Sequence, residues 1–199
     1  MFETLESIDR QLLLLINGWN SPFCDELMWL ISGRYTWIPL YVILIVAMLR
    51  KTGRQWWLML IGVALAVGLA DIISVQCFKY TVMRYRPTHN LELEGVLHIV
   101  HGYHGGLYGF VSSHAANTFA IALFSSLMLQ RRIVTVLVFA WACLVCYSRM
   151  YIGAHYPADI ACGALVGALC GYAAYRLYQW QCNKRLSTHK PEKQQNGRD

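Results

Sequence analysis

The chain has 199 residues, 56% of them hydrophobic and 14% charged, with mean hydropathy +0.36 and a formal net charge of +6. Apolar runs of membrane-spanning length recur and charges cluster between them, which excludes an ordinary soluble domain and points to a polytopic membrane protein. Much of the basic excess lies in "RKTGR" (50–54), "RR" (131–132) and the tail 183–199, a pattern that suits cytoplasmic anchoring and not a nucleic-acid patch.

In chain order, the opening "MFETLESIDRQ" carries Glu3, Glu6 and Asp9 before any basic residue, so no secretory signal is expected. Residues 5–18 hold an apolar run too short to span, with acids beside it, and read as an interfacial helix. A first span runs from Leu27 to Leu49, interrupted at "SGRYT", which marks off a separate short helix. Further spans follow over 55–80, 113–129, 133–147 and 157–180. The expected fold is all-α, a polytopic membrane bundle of five to six spans. Residues 1–26 form the N-terminal interfacial helix and the approach to the bundle, 27–182 the membrane domain, and 183–199 a polar, disordered cytoplasmic tail.

The basic loops set an orientation. With 50–54 and 131–132 in the cytoplasm, the long connection 81–112 and the short one at 148–156 face outward. Lys79, Arg84, Arg86 and Arg149 then lie on the outer side, against the positive-inside tendency, and an anionic ligand supplies the reason. Other features carry no chemistry. Seven cysteines, an odd number largely within spans, behave as small apolar residues, and Cys143 and Cys146 mark one helix face. Gly163, Gly167 and Gly171 recur every four residues, which lets helices approach closely. Asp71 is costly in lipid, so it is expected to face the bundle interior in a hydrogen-bonded structural role.

Three outward constellations carry the chemistry. In "KYTVMRYRP" (79–87), Lys79 and Arg86 lie about 10 Å apart even along a straight helix, so their side chains can converge on one small anion. Arg84, between them, is read as a cation snorkelling to the membrane surface. In "GFVSSHAANTF" (109–119), Ser112, Ser113 and His114 stand at a helix start, where unpaired N–H groups favour anions; serines there also serve simply as caps. In "SRMYIGAHYPADI" (148–160), Pro157 opens a helix and Asp159 falls in its first turn, within reach of one ring nitrogen of His155. Such a bond fixes the tautomer and leaves the other nitrogen free to attack, with Arg149 binding the attacked group. Alone, the same triplet also fits a carboxylate favouring the helix dipole beside a merely polar histidine. Together the three groups make an inventory for phosphoryl transfer through a phosphohistidine.

These residues resemble the type 2 phosphatidic acid phosphatase family, whose core is shared with vanadium haloperoxidases. Lys79, Arg86 and Pro87 match its Lys, six residues, Arg-Pro; Ser112 and His114 match two positions of its Pro-Ser-Gly-His, written here "VSSH". Ser148, Arg149, His155 and Asp159 match its Ser-Arg, five residues, His, three residues, Asp in full. Val111 and Ser113 replace the proline and glycine, and the resemblance spans residues 71–175. It implies His155 as nucleophile, Asp159 as its orienting partner and His114 as the acid that protonates the leaving group. Lys79, Arg86, Ser112, Arg149 and a backbone N–H near Ser113 are implied phosphate ligands, with no metal or other cofactor.

The expected activity is hydrolysis of a membrane lipid phosphate: undecaprenyl diphosphate, phosphatidylglycerol phosphate, phosphatidic acid or a phosphate of lipid A. The expected setting is a bacterial inner membrane, with the active site outside and the C-terminus in the cytoplasm. Alternatives are a vanadate-dependent haloperoxidase-like enzyme and a lipid-headgroup-binding protein without turnover. The loop histidines His89, His98, His101 and His104 suit either a polar lid or headgroup surface, or a metal site built on the three-residue spacing of the last three.

Overall fold

The computed structural model describes residues 2–188, and these fold as helices with no strand among them; Tyr85 and Tyr108 form an isolated antiparallel bridge. Helix α1 covers Phe2–Gly18 and α2 covers Pro22–Ser32. Ser21 caps α2, its hydroxyl accepting the Cys24 N–H at 3.3 Å, and Pro22 takes the first position, where a missing N–H costs nothing. The break expected at "SGRYT" is real. Gly33 ends α2, and Thr36 and Trp37 donate side-chain hydrogen bonds to the freed carbonyls of Leu30 (2.6 Å) and Ile31 (2.8 Å).

Helix α3 (Ile38–Thr52) turns at Gly53, whose φ of +53° suits glycine, into α4 (Trp56–Ile72). The two legs pack side by side, with Tyr41 and Leu44 of α3 and Val63 and Ala66 of α4 lining one small apolar cavity. Beyond Ile72 the helix widens into π-helical turns over Ile73–Lys79 and ends in α5 (Tyr80–Val82). After an irregular loop come α6 (Ser113–Leu129), α7 (Arg132–Tyr151) and α8 (Pro157–Thr188). Among the described residues, Ile38–Val82, Arg132–Tyr151 and Pro157–Arg185 are long and apolar enough to cross a membrane, and Ser113–Leu129 is apolar but shorter.

Helix α6 is the centre of the bundle, burying Ala116, Ala120, Phe124 and Met128 among others. Its closest neighbour is α8. Gly163, Gly167 and Gly171 lie directly against the backbone of α6, and a Cβ on Gly167 would stand 2.0 Å from the Ala116 carbonyl oxygen. The four-residue glycine spacing is thus a helix–helix seam. It matters for the site because both helices begin at the same end of the bundle, beside the loop.

Helix α1 lies against that loop end. Leu13 is fully buried with Leu93 and Tyr156, and Asn17 donates to the carbonyls of His98 (2.8 Å) and Tyr151 (2.7 Å) while accepting the His98 N–H (2.8 Å). Two expectations need correction. The helix α8 does not stop at residue 182 but runs to Thr188, where Arg185 stacks 4.6 Å over the Trp57 ring and Lys184 stacks 5.4 Å over Trp180; residues 189–199 of the expected tail lie outside the described residues. Asp71 accepts a hydrogen bond from Asn117 (3.3 Å), yet it is exposed and not turned into the bundle interior, just before the π-helical turns begin. All seven cysteines are free.

Candidate active site

The ends of four helical segments meet at the loop end and each brings a polar residue to it. Lys79 closes the π-helical turns, and its ammonium donates to the Ser113 hydroxyl at 3.3 Å; Ser74 donates to the same oxygen at 2.9 Å. Arg86 is extended (φ −66°, ψ 157°), as a residue before proline must be, and is buried. Its Nε donates to the Tyr108 carbonyl at 3.2 Å, while Nη1 has no hydrogen-bond partner among the described residues. Gly105 makes room for that guanidinium, since a Cβ there would stand 2.8 Å from Nη1.

Ser112 caps α6. Its hydroxyl accepts the Ala115 N–H at 3.4 Å, and its own N–H donates to the Asp159 carbonyl at 3.0 Å, joining the starts of α6 and α8. Ser113 and His114 follow in the first turn, where the helix supplies no acceptor for their N–H groups. Arg149, on the last turn of α7, is 4% exposed. Its Nη1 donates to the Ser32 hydroxyl (2.5 Å) and its Nη2 to the Tyr103 hydroxyl (3.0 Å), leaving Nε without a partner among the described residues.

The turn after α7 uses Gly153 at φ +72° and delivers His155, 1% exposed, to the start of α8. Its Nδ1 lies 3.5 Å from the Asp159 Oδ2, and no hydrogen bond forms between them. Asp159, fully buried, instead accepts the Tyr156 N–H on Oδ2 (3.1 Å) and Arg84 Nη1 on Oδ1 (2.9 Å). The direct bond expected from the sequence is therefore a close approach, because the carboxylate is already held by two other donors. Burial first, and then the charges of Arg86, Arg149 and Lys79, hold His155 well below the ordinary imidazole value. At neutral pH the ring is uncharged and keeps a free lone pair, as a nucleophile requires.

Arg84 overturns its expected role. It is not a snorkelling cation: Nη2 donates to Asp9 Oδ2 (2.7 Å), Nη1 holds Asp159, and the guanidinium lies 4.0 Å over the Tyr156 ring. Buried carboxylates attract it more strongly than solvent does. Burial lowers its basicity, but the carboxylates of Asp159 and Asp9 outweigh that and raise it above the ordinary value. Tyr103, Ser32, Asp9 and Gly105 are further site residues with no motif to announce them. Burial would raise the Tyr103 phenol, yet Arg149 and Arg86 beside it bring it below the ordinary value.

The loop histidines go to different partners. His98 Nε2 meets both carboxylate oxygens of Asp25 (2.9 and 3.0 Å), and His101 Nε2 meets Glu26 (3.1 Å). His104 stacks at 5.9 Å with His89 and lies 3.3 Å from the Thr88 carbonyl. Among the described residues, no three His, Cys, Asp or Glu side chains come together as a metal site. What the arrangement offers chemically is a buried neutral imidazole facing three cations, two of which keep an unpartnered donor, beside a helix start. Such an arrangement has the donors and charge to hold a tetrahedral oxyanion.

Comparison with known proteins identifies the family. The model of the PAP2 superfamily matches residues 55–182. The chain is 33% identical to the lipid A 4'-phosphatase of Porphyromonas gingivalis over 190 residues, covering 95% of this chain and 80% of that protein. It is 35% identical to the lipid A 4'-phosphatase of Bacteroides thetaiotaomicron over 179 residues, covering 88% and 79%. The undecaprenyl-diphosphatase of Sulfolobus acidocaldarius is 27% identical over 178 residues, covering 84% and 77%. Among solved structures, the transmembrane PAP2 type phosphatidylglycerolphosphate phosphatase from Bacillus subtilis superposes with a TM-score of 0.67 at 21% identity, over 91% of this chain and 87% of that one. Aquifex aeolicus LpxE superposes with 0.59 at 24% identity, over 83% and 93%.

Proposed function

We propose, from the premise that the chain belongs to the PAP2 superfamily and is a membrane lipid phosphatase, that its pocket removes the 4'-phosphate of lipid A by way of a phosphohistidine on His155. The observation that carries the substrate is the similarity, over 88% and 95% of this chain, to two lipid A 4'-phosphatases. The proposal puts the pocket on the extracytoplasmic face of a bacterial inner membrane. This is supported by the basic clusters 50–54 and 131–132, which lie at the opposite ends of the spans from the site, since basic loops tend to stay in the cytoplasm.

In the first step the free Nε2 lone pair of His155 attacks phosphorus while the bond to the sugar oxygen breaks, and His114, which takes up a proton as the phosphate anion binds, gives that proton to the leaving oxygen. In the second, His114 takes a proton from water as the water oxygen displaces the ring nitrogen, releasing inorganic phosphate and restoring the imidazole. Lys79, Arg86 and Arg149 bind the non-bridging oxygens, joined by the first N–H groups of α6 and the Ser112 hydroxyl. Arg86 Nη1 and Arg149 Nε, which have no partner among the described residues, are the donors available to them. Asp159 lies on the Nδ1 side of the ring and so favours the tautomer with Nε2 free.

The test uses the purified chain in detergent with a panel of lipids: bisphosphorylated lipid A, undecaprenyl diphosphate and phosphatidylglycerol phosphate. Mass spectrometry reads which phosphate of lipid A is lost. Selective loss of the 4'-phosphate, abolished in His155→Ala with the protein still folded, is the expected result. Preferred turnover of undecaprenyl diphosphate would replace the substrate reading, and near-normal turnover by His155→Ala would sink the mechanism.

A further inference from the structure

Arg84 lies outside the positions that match the three-part pattern, yet it touches the residue beside the nucleophile. We propose that Arg84, clamped by Asp9 of the N-terminal helix, is a positioning residue that holds Asp159 against the His155 ring, so that α1 is part of the active-site construction. The proposal rests on the reading of His155 as the nucleophile.

The Arg84 guanidinium is held on three sides. One terminal nitrogen donates to Asp159 Oδ1 at 2.9 Å, the other to Asp9 Oδ2 at 2.7 Å, and its face rests 4.0 Å from the Tyr156 ring centre. Two in-plane anions and one aromatic face leave a planar cation a single orientation. Both terminal nitrogens are occupied by carboxylates, so Arg84 acts on the reaction through Asp159 and not by binding phosphate.

Asp159 in turn has no exposed surface. A buried carboxylate needs a cation or several donors to remain charged, and Arg84 is the cation in contact with it. With Oδ1 held by Arg84 and the Tyr156 N–H on Oδ2, the carboxylate plane is set, and Oδ2 stands 3.5 Å from His155 Nδ1. Turning the carboxylate away would break both bonds.

Asp9 is itself placed with care. It is 8% exposed, and its second oxygen accepts the Ala158 N–H at 2.7 Å, one of the first-turn donors of α8 that no helix bond can satisfy. So one carboxylate of α1 both caps the helix that carries Asp159 and braces the arginine that holds it. Leu13 and Asn17, both essentially fully buried, pin α1 one and two turns further on. A helix that merely floated on the membrane surface would not bury an aspartate in this way.

The experiment compares Arg84→Gln, Arg84→Lys and Asp9→Asn with the wild type in detergent, on bisphosphorylated lipid A. Arg84→Gln is expected to lower kcat by about 10- to 100-fold, as is usual for a group that orients a catalytic one. KM and the inhibition constant of inorganic phosphate should stay within about threefold, because Lys79, Arg86 and Arg149 are untouched. Arg84→Lys should recover part of kcat. Asp9→Asn, nearly isosteric, should lower kcat by about 3- to 10-fold, and its effect should largely vanish in the Arg84→Gln background, since the two act as one unit. An unchanged kcat in folded Arg84→Gln overturns the proposal, as does a rise in KM and in the phosphate inhibition constant with kcat intact. Should Arg84→Gln not fold, Asp9→Asn alone decides by the same kcat and KM split. His155→Ala separates the two levels: turnover that survives there refutes the nucleophile itself, not the role of Arg84.

Discussion

Replacing Gly167 by alanine tests the seam on which the site is built. The added Cβ would stand 2.0 Å from the Ala116 carbonyl oxygen and 2.7 and 2.8 Å from its carbonyl carbon and Cα, where ordinary contact begins at 3.4 Å. These are backbone atoms in the middle of α6, so no side chain can swing aside. The helices must separate locally by about 1.4 Å to restore contact distance. A rigid opening of that size would stretch the 3.0 Å bond from the Ser112 N–H to the Asp159 carbonyl out of hydrogen-bonding range. The expected cost is about 1–3 kcal/mol from overpacking. Activity is expected to fall about 100-fold, the usual penalty for misplacing catalytic groups by an ångström, since α6 brings His114 and α8 brings Asp159. Thermal unfolding in detergent and phosphate release from lipid A read the two quantities. Gly68→Ala is the control, because nothing lies within 4 Å of the new methyl group; it should gain about 0.5–1 kcal/mol from helix propensity. A Gly167→Ala protein that melts with the wild type and keeps its rate would refute the close contact between α6 and α8.

Arg149→Lys is not a conservative change here. A lysine cannot reach Ser32 and Tyr103 at once while presenting a further donor to phosphate, so kcat/KM should fall by about 10- to 150-fold, the equivalent of one charge-assisted hydrogen bond; activity within a factor of two or so would show that the fork geometry is irrelevant. Stability should depend on pH through His155. In the unfolded chain its imidazole titrates near about 6.5, while in the folded protein burial and the neighbouring cations keep it neutral to much lower pH. The folded state thus binds fewer protons, so this contribution is fully present above about 6.5 and is lost as pH falls toward the folded value, at about 1.4 kcal/mol per unit. The melting temperature should drop between pH 6.5 and 5, and His155→Asn should flatten that slope; an unchanged slope in the variant would exclude His155 as its source.

Which parts of this were legible in the sequence follows from the range of the interactions involved. Apolar runs report spans, and the glycine spacing reports a seam, because both are periodic along one helix. That Lys79, Arg86, Ser112, Arg149, His155 and Asp159 gather at one end of the bundle is legible because their local spacing forms a motif. Arg84 lies in the same stretch as Lys79 and Arg86, but its role is not encoded there. Its two carboxylate partners lie 75 residues away in opposite directions along the chain, and nothing near residue 84 encodes either. Tyr103 and Ser32 were invisible for the same reason, lying 46 and 117 residues from the arginine they hold. The loop histidines mislead in the opposite sense. His98, His101 and His104 are regularly spaced, but the left-handed backbone at His101 (φ +49°) and Gly102 (φ +64°) turns the chain between them. They end on Asp25, Glu26 and the Thr88 carbonyl, each with its own partner.

The charge arrangement explains why the pocket needs both the three cations and the remote Arg84–Asp9 pair. Lys79, Arg86 and Arg149 favour the neutral form of His155, so on the proposed mechanism one set of charges both activates the nucleophile and binds its target. On the proposed mechanism that advantage reverses once the ring is phosphorylated. The ring then carries a proton on Nδ1 and a bond to phosphorus on Nε2, and it becomes cationic among cations. A carboxylate on the Nδ1 side offsets this, and Asp159 Oδ2 lies 3.5 Å away. A lone buried carboxylate, however, would itself be unstable in the empty pocket. Arg84 supplies its counter-charge, and Asp9 offsets Arg84 in turn while satisfying the first turn of α8. On the same mechanism, the alternation of charge from α1 to the nucleophile favours the carboxylate form of Asp159 with groups whose donors are turned to carboxylates and not to the substrate.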